Sequence, residues 1–152
     1  MAQGSVETSP CQLCDAIATD QAPGGEWLFK EDLVAAYRSA ANLHVPGWCQ
    51  LQVIRHAPTW GDLSSEEAAA LGAGAQRLAA AILAASGATH IYSYSICENI
   101  RHFHLVMGPA PALGDGGMRG APWLSRVLLR DAEVAQADLA DSLFEAVRQQ
   151  LR

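Results

Sequence analysis

Four cysteines (Cys11, Cys14, Cys49, Cys97) and five histidines (His44, His56, His90, His102, His104) are the residues of this 152-residue chain best suited to chemistry. Cys11-Gln-Leu-Cys14 is a C-x-x-C pair. In a reducing compartment such a pair reads as metal ligands, a redox dithiol or two inert core residues sooner than as a structural disulfide. The redox version wants a strand just before the motif, and only a short, largely polar segment precedes Cys11. His102 and His104 stand two apart in Ile100-Arg-His-Phe-His-Leu-Val-Met107. Alternate residues of a strand share a face, so the two rings are expected to point the same way, about 7 Å apart, with Arg101, Phe103 and Leu105 on the other face. Tetrahedral zinc favours thiolate and neutral imidazole, so adding Cys11, Cys14 and His56 to this pair of histidines gives a candidate Cys2His2 set. Their separation in sequence is far beyond zinc-finger spacing, so only tertiary folding can assemble them.

The elements that must do so are legible. Trp27-Leu-Phe and Leu33-Val-Ala-Ala-Tyr37 flank the turn-like Lys30-Glu-Asp32, as in a hairpin. After the turn at Val45-Pro-Gly47, Leu51 and Val53 alternate with Gln50 and Gln52, the pattern of a half-buried strand. Ser64-x-x-Glu67 is a capping box opening an alanine-rich amphipathic helix that runs to Ser86-Gly87. Two alternating segments follow, Thr89–Ile96 and Ile100–Met107, with a turn at Glu98-Asn99 and a stop at Pro109. Gly114–Gly120 reads as a loop. From Trp123 to Arg152 a second helix is expected, with Val134, Leu139, Leu143, Val147 and Leu151 along one stripe. This order predicts an α+β domain with an antiparallel five-stranded sheet, one long helix and a C-terminal helix, spanning residues 11–152 behind a loose arm at 1–10.

Composition narrows the partners. Ten Lys and Arg face sixteen Asp and Glu, for a formal charge of −6, and Lys30 is the sole lysine. That balance argues against nucleic-acid polymers, which need dense cations, while a small anion needs only a few local donors. No run is expected to reach the ~18 apolar residues of a membrane span, and the first residues lack the pattern of a signal peptide. The expected setting is cytoplasmic.

From Cys11 to Pro109 the chain resembles the histidine-triad superfamily of nucleotide hydrolases and transferases. Cys11-Gln-Leu-Cys14-Asp-Ala-Ile17 is similar to the family's C-x-x-C followed by an apolar strand. Val45–His56 is similar to its P-G-H strand ending in a histidine, Leu63-Ser-Ser-Glu-Glu67 to the start of its long helix, and Ile100–Pro109 to its H-x-H-x-H strand followed by proline. With Pro109 as the family's proline, His102 is the first histidine, His104 the second, and Val106 replaces the third. A shift by two would make His104 the third and leave zinc three protein ligands, so the first register is preferred.

In that register the resemblance implies a structural zinc on Cys11, Cys14, His56 and His102, and His104 as the nucleophile that attacks an α-phosphate. It also implies a homodimer with the long helix near the interface. Trp48 stands where the family has a histidine after P-G, and the acidic residue that holds the ribose would fall near Ala40. Asn42 is its nearest polar substitute, and Arg119 is a candidate phosphate cation. Substrate contacts are therefore expected from Asn42, Trp48 and Arg119. These departures leave two alternatives open: a zinc-binding binding or regulatory protein without nucleotide chemistry, or an enzyme using the same pocket on another small molecule. Cys49 is expected in the core, Cys97 packed or at an edge, His44 and His90 on the surface, and the four tryptophans as core or pocket walls.

Overall fold

The strands expected on either side of the Lys30-Glu-Asp32 turn form as β1 (Trp27–Lys30) and β2 (Val34–Arg38), joined by β3 (Cys49–Val53), β4 (Ile91–Tyr94) and β5 (His104–Pro109). These spans come from a computed structural model that describes residues 10–111 and 117–152. The expected arm, Pro10 aside, and Gly114–Gly116 of the glycine-rich loop lie outside the described residues. The sheet runs β1-β2-β3-β5-β4, antiparallel throughout.

Register sorts the sheet into two faces. Val34 pairs with Val53, and Ala36 with Leu51, which pairs in turn with Leu105. These residues pack in one core with Met107, Leu71, Leu78, Ile82 and Val147. The core is closed by α2 (Ser65–Ser86) and α4 (Ala137–Gln150). The opposite face carries two rows that matter below. Tyr37, Gln50, Val106 and Tyr94 are cross-strand neighbours in one, and Ala35, Gln52 and His104 in the next.

Helix α2 begins and ends where the sequence says it should. The Ser64 hydroxyl accepts from the Glu67 N–H at 3.1 Å, and the Glu67 carboxylate accepts from the Ser64 N–H at 2.8 Å. Gly87, at φ 68°, closes the helix in the left-handed conformation that glycine adopts without strain. By length and composition α2 is apolar enough to cross a membrane, which the sequence reading did not anticipate. Alanine supplies much of that hydropathy, and in this fold the helix lays Leu71, Leu78 and Ile82 on the sheet.

Glu67 also takes Arg55 in a two-point grip, Nε to Oε1 at 2.8 Å and a terminal nitrogen to Oε2 at 2.7 Å. Arg55 precedes His56, so the start of α2 anchors the turn that carries this histidine. The Arg55 bonds and the Ser64 N–H hold the Glu67 carboxyl down at about 2, against an ordinary 4.5. A depressed carboxyl stabilises the fold above its unfolded value and loses that contribution as pH falls towards its folded value. Glu67→Gln is therefore expected to cost about 1–2 kcal/mol at pH 7. The gap from the parent should close between pH 4.5 and pH 2, read by urea unfolding at each pH. A gap that stays constant with pH would show that the ionised pair contributes nothing.

Four expectations need correction. The segment after Cys11 is a helix, α1 (Gln12–Thr19), because Leu13, Ala16 and Ile17 recur at helical spacing and bury Leu13 and Ala16. Both faces of β3 are covered, so Gln50 and Gln52 are buried as well as Leu51 and Val53. Residues 100–103 do not pair: β4 and β5 are shorter than their alternation suggested, and a wide loop spans 95–103. The tail forms two helices, α3 (Ala121–Leu128) and α4, separated by a 3-10 turn at Ala132–Val134. Val134 therefore packs with Val45, Trp48, Val106 and Val127, apart from Val147.

Trp48 is also buried, its ring pressed on Gly108. An added Cβ at Gly108 would meet ring atoms at 2.5–2.6 Å. Gly108→Ala should cost about 1–3 kcal/mol through overpacking, measured by chemical denaturation, and an unchanged midpoint would contradict this packing.

Candidate functional site

Helix α1 sets the first two sulfurs. Cys11 is its N-cap and makes no side-chain cap bond. Cys14 follows three residues on, so both side chains lie at the helix N-terminus. Cys11 Sγ lies 3.5 Å from His102 Nδ1, and Cys14 Sγ 3.4 Å from the Nδ1 atoms of both His56 and His102. All four donor atoms fall within 4.8 Å of one another. A tetrahedron built from zinc–sulfur and zinc–nitrogen bonds of ordinary length has a sulfur–nitrogen edge of about 3.5 Å. The donor types and spacing therefore fit a zinc-sized cation.

Two further observations support that fit. His102 is fully buried, and its Nε2 lies 2.8 Å from the Val53 carbonyl, which can only accept. That bond puts the proton on Nε2 and leaves Nδ1 bare towards the sulfurs, as a ligand imidazole requires. Burial, then the neighbouring Cys11, pushes the Cys14 thiol up to about 11. Two adjacent thiolates need a cation to hold them ionised. The loop carrying His56 is tied to the His102 segment by the Phe103 N–H, which donates to the Ala57 carbonyl at 2.6 Å.

His102 lies just before β5, where the chain is not yet in the sheet, whereas His104 is the strand's first residue. The two rings serve different places. His102 faces the sulfurs, and His104 lines a cavity of about 570 Å3. The His104 Nδ1 is 2.7 Å from the His102 carbonyl, so it donates there and Nε2 keeps the lone pair. Burial holds both imidazoles below their ordinary value of 6.5, on the neutral side at pH 7.

Asn42 also lines this cavity, from a 3-10 turn at Ala40–Asn42. Its Nδ2 donates to Ser39 Oγ at 3.2 Å and to the Tyr94 hydroxyl at 3.3 Å, so both of these bonds use the amide nitrogen. Val106, at the third triad position, forms part of the wall. Trp48 and Arg119 are not brought to His104: both line a separate cavity of about 380 Å3, with Trp123 and Pro109. The reason for Trp48 is its burial over Gly108 at the far end of the β3–β5 pair.

Cavity residues that sequence reasoning missed are Tyr37, Gln50, Tyr94 and Arg130. Arg130 is the cation in this lining, against the carboxylates of Asp15 and Glu98. Cys97, expected packed or at an edge, does pack against the main core. It has φ 54° and places Sγ 3.6 Å from His104 Nδ1, in the wall of the same cavity. Cys49 is buried as expected, which pushes its thiol up to about 12. His44 and His90 are exposed. Trp60 is 57% exposed, covers Phe103 from outside at 4.4 Å between ring centres and, as expected of a pocket wall, lines a third cavity with it.

No family model and no curated protein matches the chain. Solved structures do. A hypothetical histidine triad nucleotide-binding protein from Sulfolobus tokodaii is similar over 93% of this chain and 91% of its own, at 15% identity and a TM-score of 0.66. A HIT-like protein from Bartonella henselae, described as involved in cell-cycle regulation, matches over 92% and 95%, also at 15% and 0.66. A zinc-bound histidine triad family protein from Mycobacterium smegmatis matches over 91% and 94%, at 17% and 0.60. The fold of this chain is that of the histidine-triad proteins.

Proposed function

We propose that this chain is a hydrolase or transferase that attacks the α-phosphorus of a nucleotide through His104, on a scaffold held by structural zinc. The observation that carries this reading is His104 itself, set in the cavity wall with Nδ1–H engaged by the His102 carbonyl and Nε2 free to act. The Nε2 lone pair forms a P–N bond as the bond to the leaving group breaks, and the leaving group departs with that electron pair and takes a proton from water. Water or another acceptor then attacks the same phosphorus, the P–N bond breaks, and its electrons return to Nε2.

Zinc on Cys11, Cys14, His56 and His102 would supply a cross-link between α1, the loop after β3 and the start of β5. Asn42 would accept from a sugar hydroxyl through its carbonyl oxygen. Arg130 would offset phosphate charge, and with two carboxylates beside it the lining suits one negative charge better than several. The homodimer implied by the family resemblance belongs to the same proposal.

A second reading rests on Val106, which cannot hydrogen-bond a phosphate or a leaving group. It makes the chain a binding or regulatory protein that keeps the fold and the metal. A panel of nucleoside 5′-phosphoramidates, phosphodiesters and polyphosphates assayed with the parent and His104→Ala decides between them. His104-dependent turnover supports the enzyme, and saturable binding with no turnover supports the second reading.

A further inference from the structure

Gln50 stands next to the missing triad position. It is the cross-strand partner of Val106, in the row Tyr37–Gln50–Val106–Tyr94, one row from Gln52 and His104. It is 7% exposed and lines the cavity that holds His104.

Its amide is oriented by a chain of hydrogen bonds whose direction is set at one end. The Leu13 carbonyl, between the two cysteines of α1, can only accept, so Gln52 turns Nε2 to it at 3.4 Å. Gln52 then presents Oε1 to the Tyr37 hydroxyl, which donates at 2.8 Å. With its proton used, the Tyr37 oxygen accepts, and Gln50 turns Nε2 to it at 2.5 Å. Tyr37 and Gln52 are fully buried, so no water competes along the chain. One Gln50 N–H is thus engaged, and its Oε1 and second N–H remain for the cavity.

We propose that Gln50 contacts the substrate in place of the third triad histidine, that Tyr37 and Gln52 are positioning residues for its amide, and that its partner is an uncharged leaving group, an amine or alcohol on phosphorus. An amide offers a donor and an acceptor side by side, matching a neutral N–H or O–H group that needs both. A second phosphate has only acceptors, and Oε1 would repel it. The proposal rests on the reading of His104 above and names its substrate class as phosphoramidates or phosphodiesters over polyphosphates.

The test uses the 15N-labelled, metal-loaded full chain carrying His104→Ala, so that adenosine 5′-phosphoramidate binds without turnover. The Gln50 side-chain amide signal is identified by its loss in Gln50→Leu. It is expected to shift saturably with the phosphoramidate, with ADP binding more weakly. Gln50→Leu should weaken phosphoramidate binding about tenfold and Tyr37→Phe about threefold. Tyr37→Phe should add nothing in the Gln50→Leu background.

A Gln50 signal that stays still while Asn42 shifts, or no shift of either at millimolar phosphoramidate, overturns the proposal. So does ADP binding as tightly, or substitutions that lower stability while leaving the dissociation constant unchanged. Turnover by the chain with His104 intact is measured separately. Its absence would remove the nucleotidyl-histidine reading while a shifting Gln50 signal still upheld the contact, and the reverse pattern would remove the contact alone.

Discussion

His104→Ala is expected to lower kcat/KM on a nucleoside phosphoramidate by about a thousandfold or more while leaving the melting temperature and bound metal unchanged. The size follows from the role: with the imidazole gone, nothing in the wall offers an oriented nitrogen lone pair to phosphorus. Cys97 is the nearest other nucleophile, and its sulfur lies beside the protonated nitrogen of the ring, away from the free Nε2. The unchanged metal content follows from the division of labour between the two rings, since His102 alone of the pair turns to the sulfurs. Parallel assays of turnover, thermal unfolding and metal content check all three. Retained turnover would remove His104 from the chemistry.

Cys14→Ser should have the largest effect on the fold. Cys14 Sγ is within 3.4 Å of both imidazoles, so it is the hub of the donor set. Without it the proposed cation would be lost, and α1, the His56 loop and the start of β5 would no longer be cross-linked. The expected loss is at least about 3 kcal/mol, a drop of roughly 6–12 °C in Tm for a chain of this size. Chelator treatment of the parent should reproduce most of that drop and have little effect on Cys14→Ser. A variant that melts with the parent, or a parent indifferent to chelation, would show that the four side chains meet without holding a metal.

Much of this architecture is legible in sequence because it rests on local rules. The capping box at Ser64 and Glu67 and the glycine at 87 bound α2 correctly, and alternation places Leu51, Val53, Leu105 and Met107 on one face. What local rules miss comes from tertiary cover. Gln50 and Gln52 look like the solvent side of a half-buried strand, yet Gln52 bonds the Leu13 carbonyl of α1 and Gln50 the Tyr37 hydroxyl, and both are buried hydrogen-bonding groups. Trp48 sits at a position that a family pattern assigns to the site, but its size drives it into the space over Gly108.

Arg119 has the right charge for a phosphate and the wrong place, because it lines the second cavity. Arg130 has no motif around it and reaches the His104 cavity only through the turn that ends α3. The four proposed metal ligands were nameable from chemistry and resemblance, whereas their distances required the fold. The separate duties of His102 and His104 follow from a single structural fact, that β5 begins between them.

The most direct test of the account is the site of the covalent bond. Metal-loaded protein should be mixed with adenosine 5′-phosphoramidate, quenched within milliseconds to seconds under conditions that preserve P–N bonds, and mapped by peptide mass spectrometry. The account predicts an adenylyl group on His104, formed and lost at rates compatible with turnover and absent from His104→Ala. Turnover with no adduct at His104, or an adduct on Cys97 or His56 instead, would contradict it.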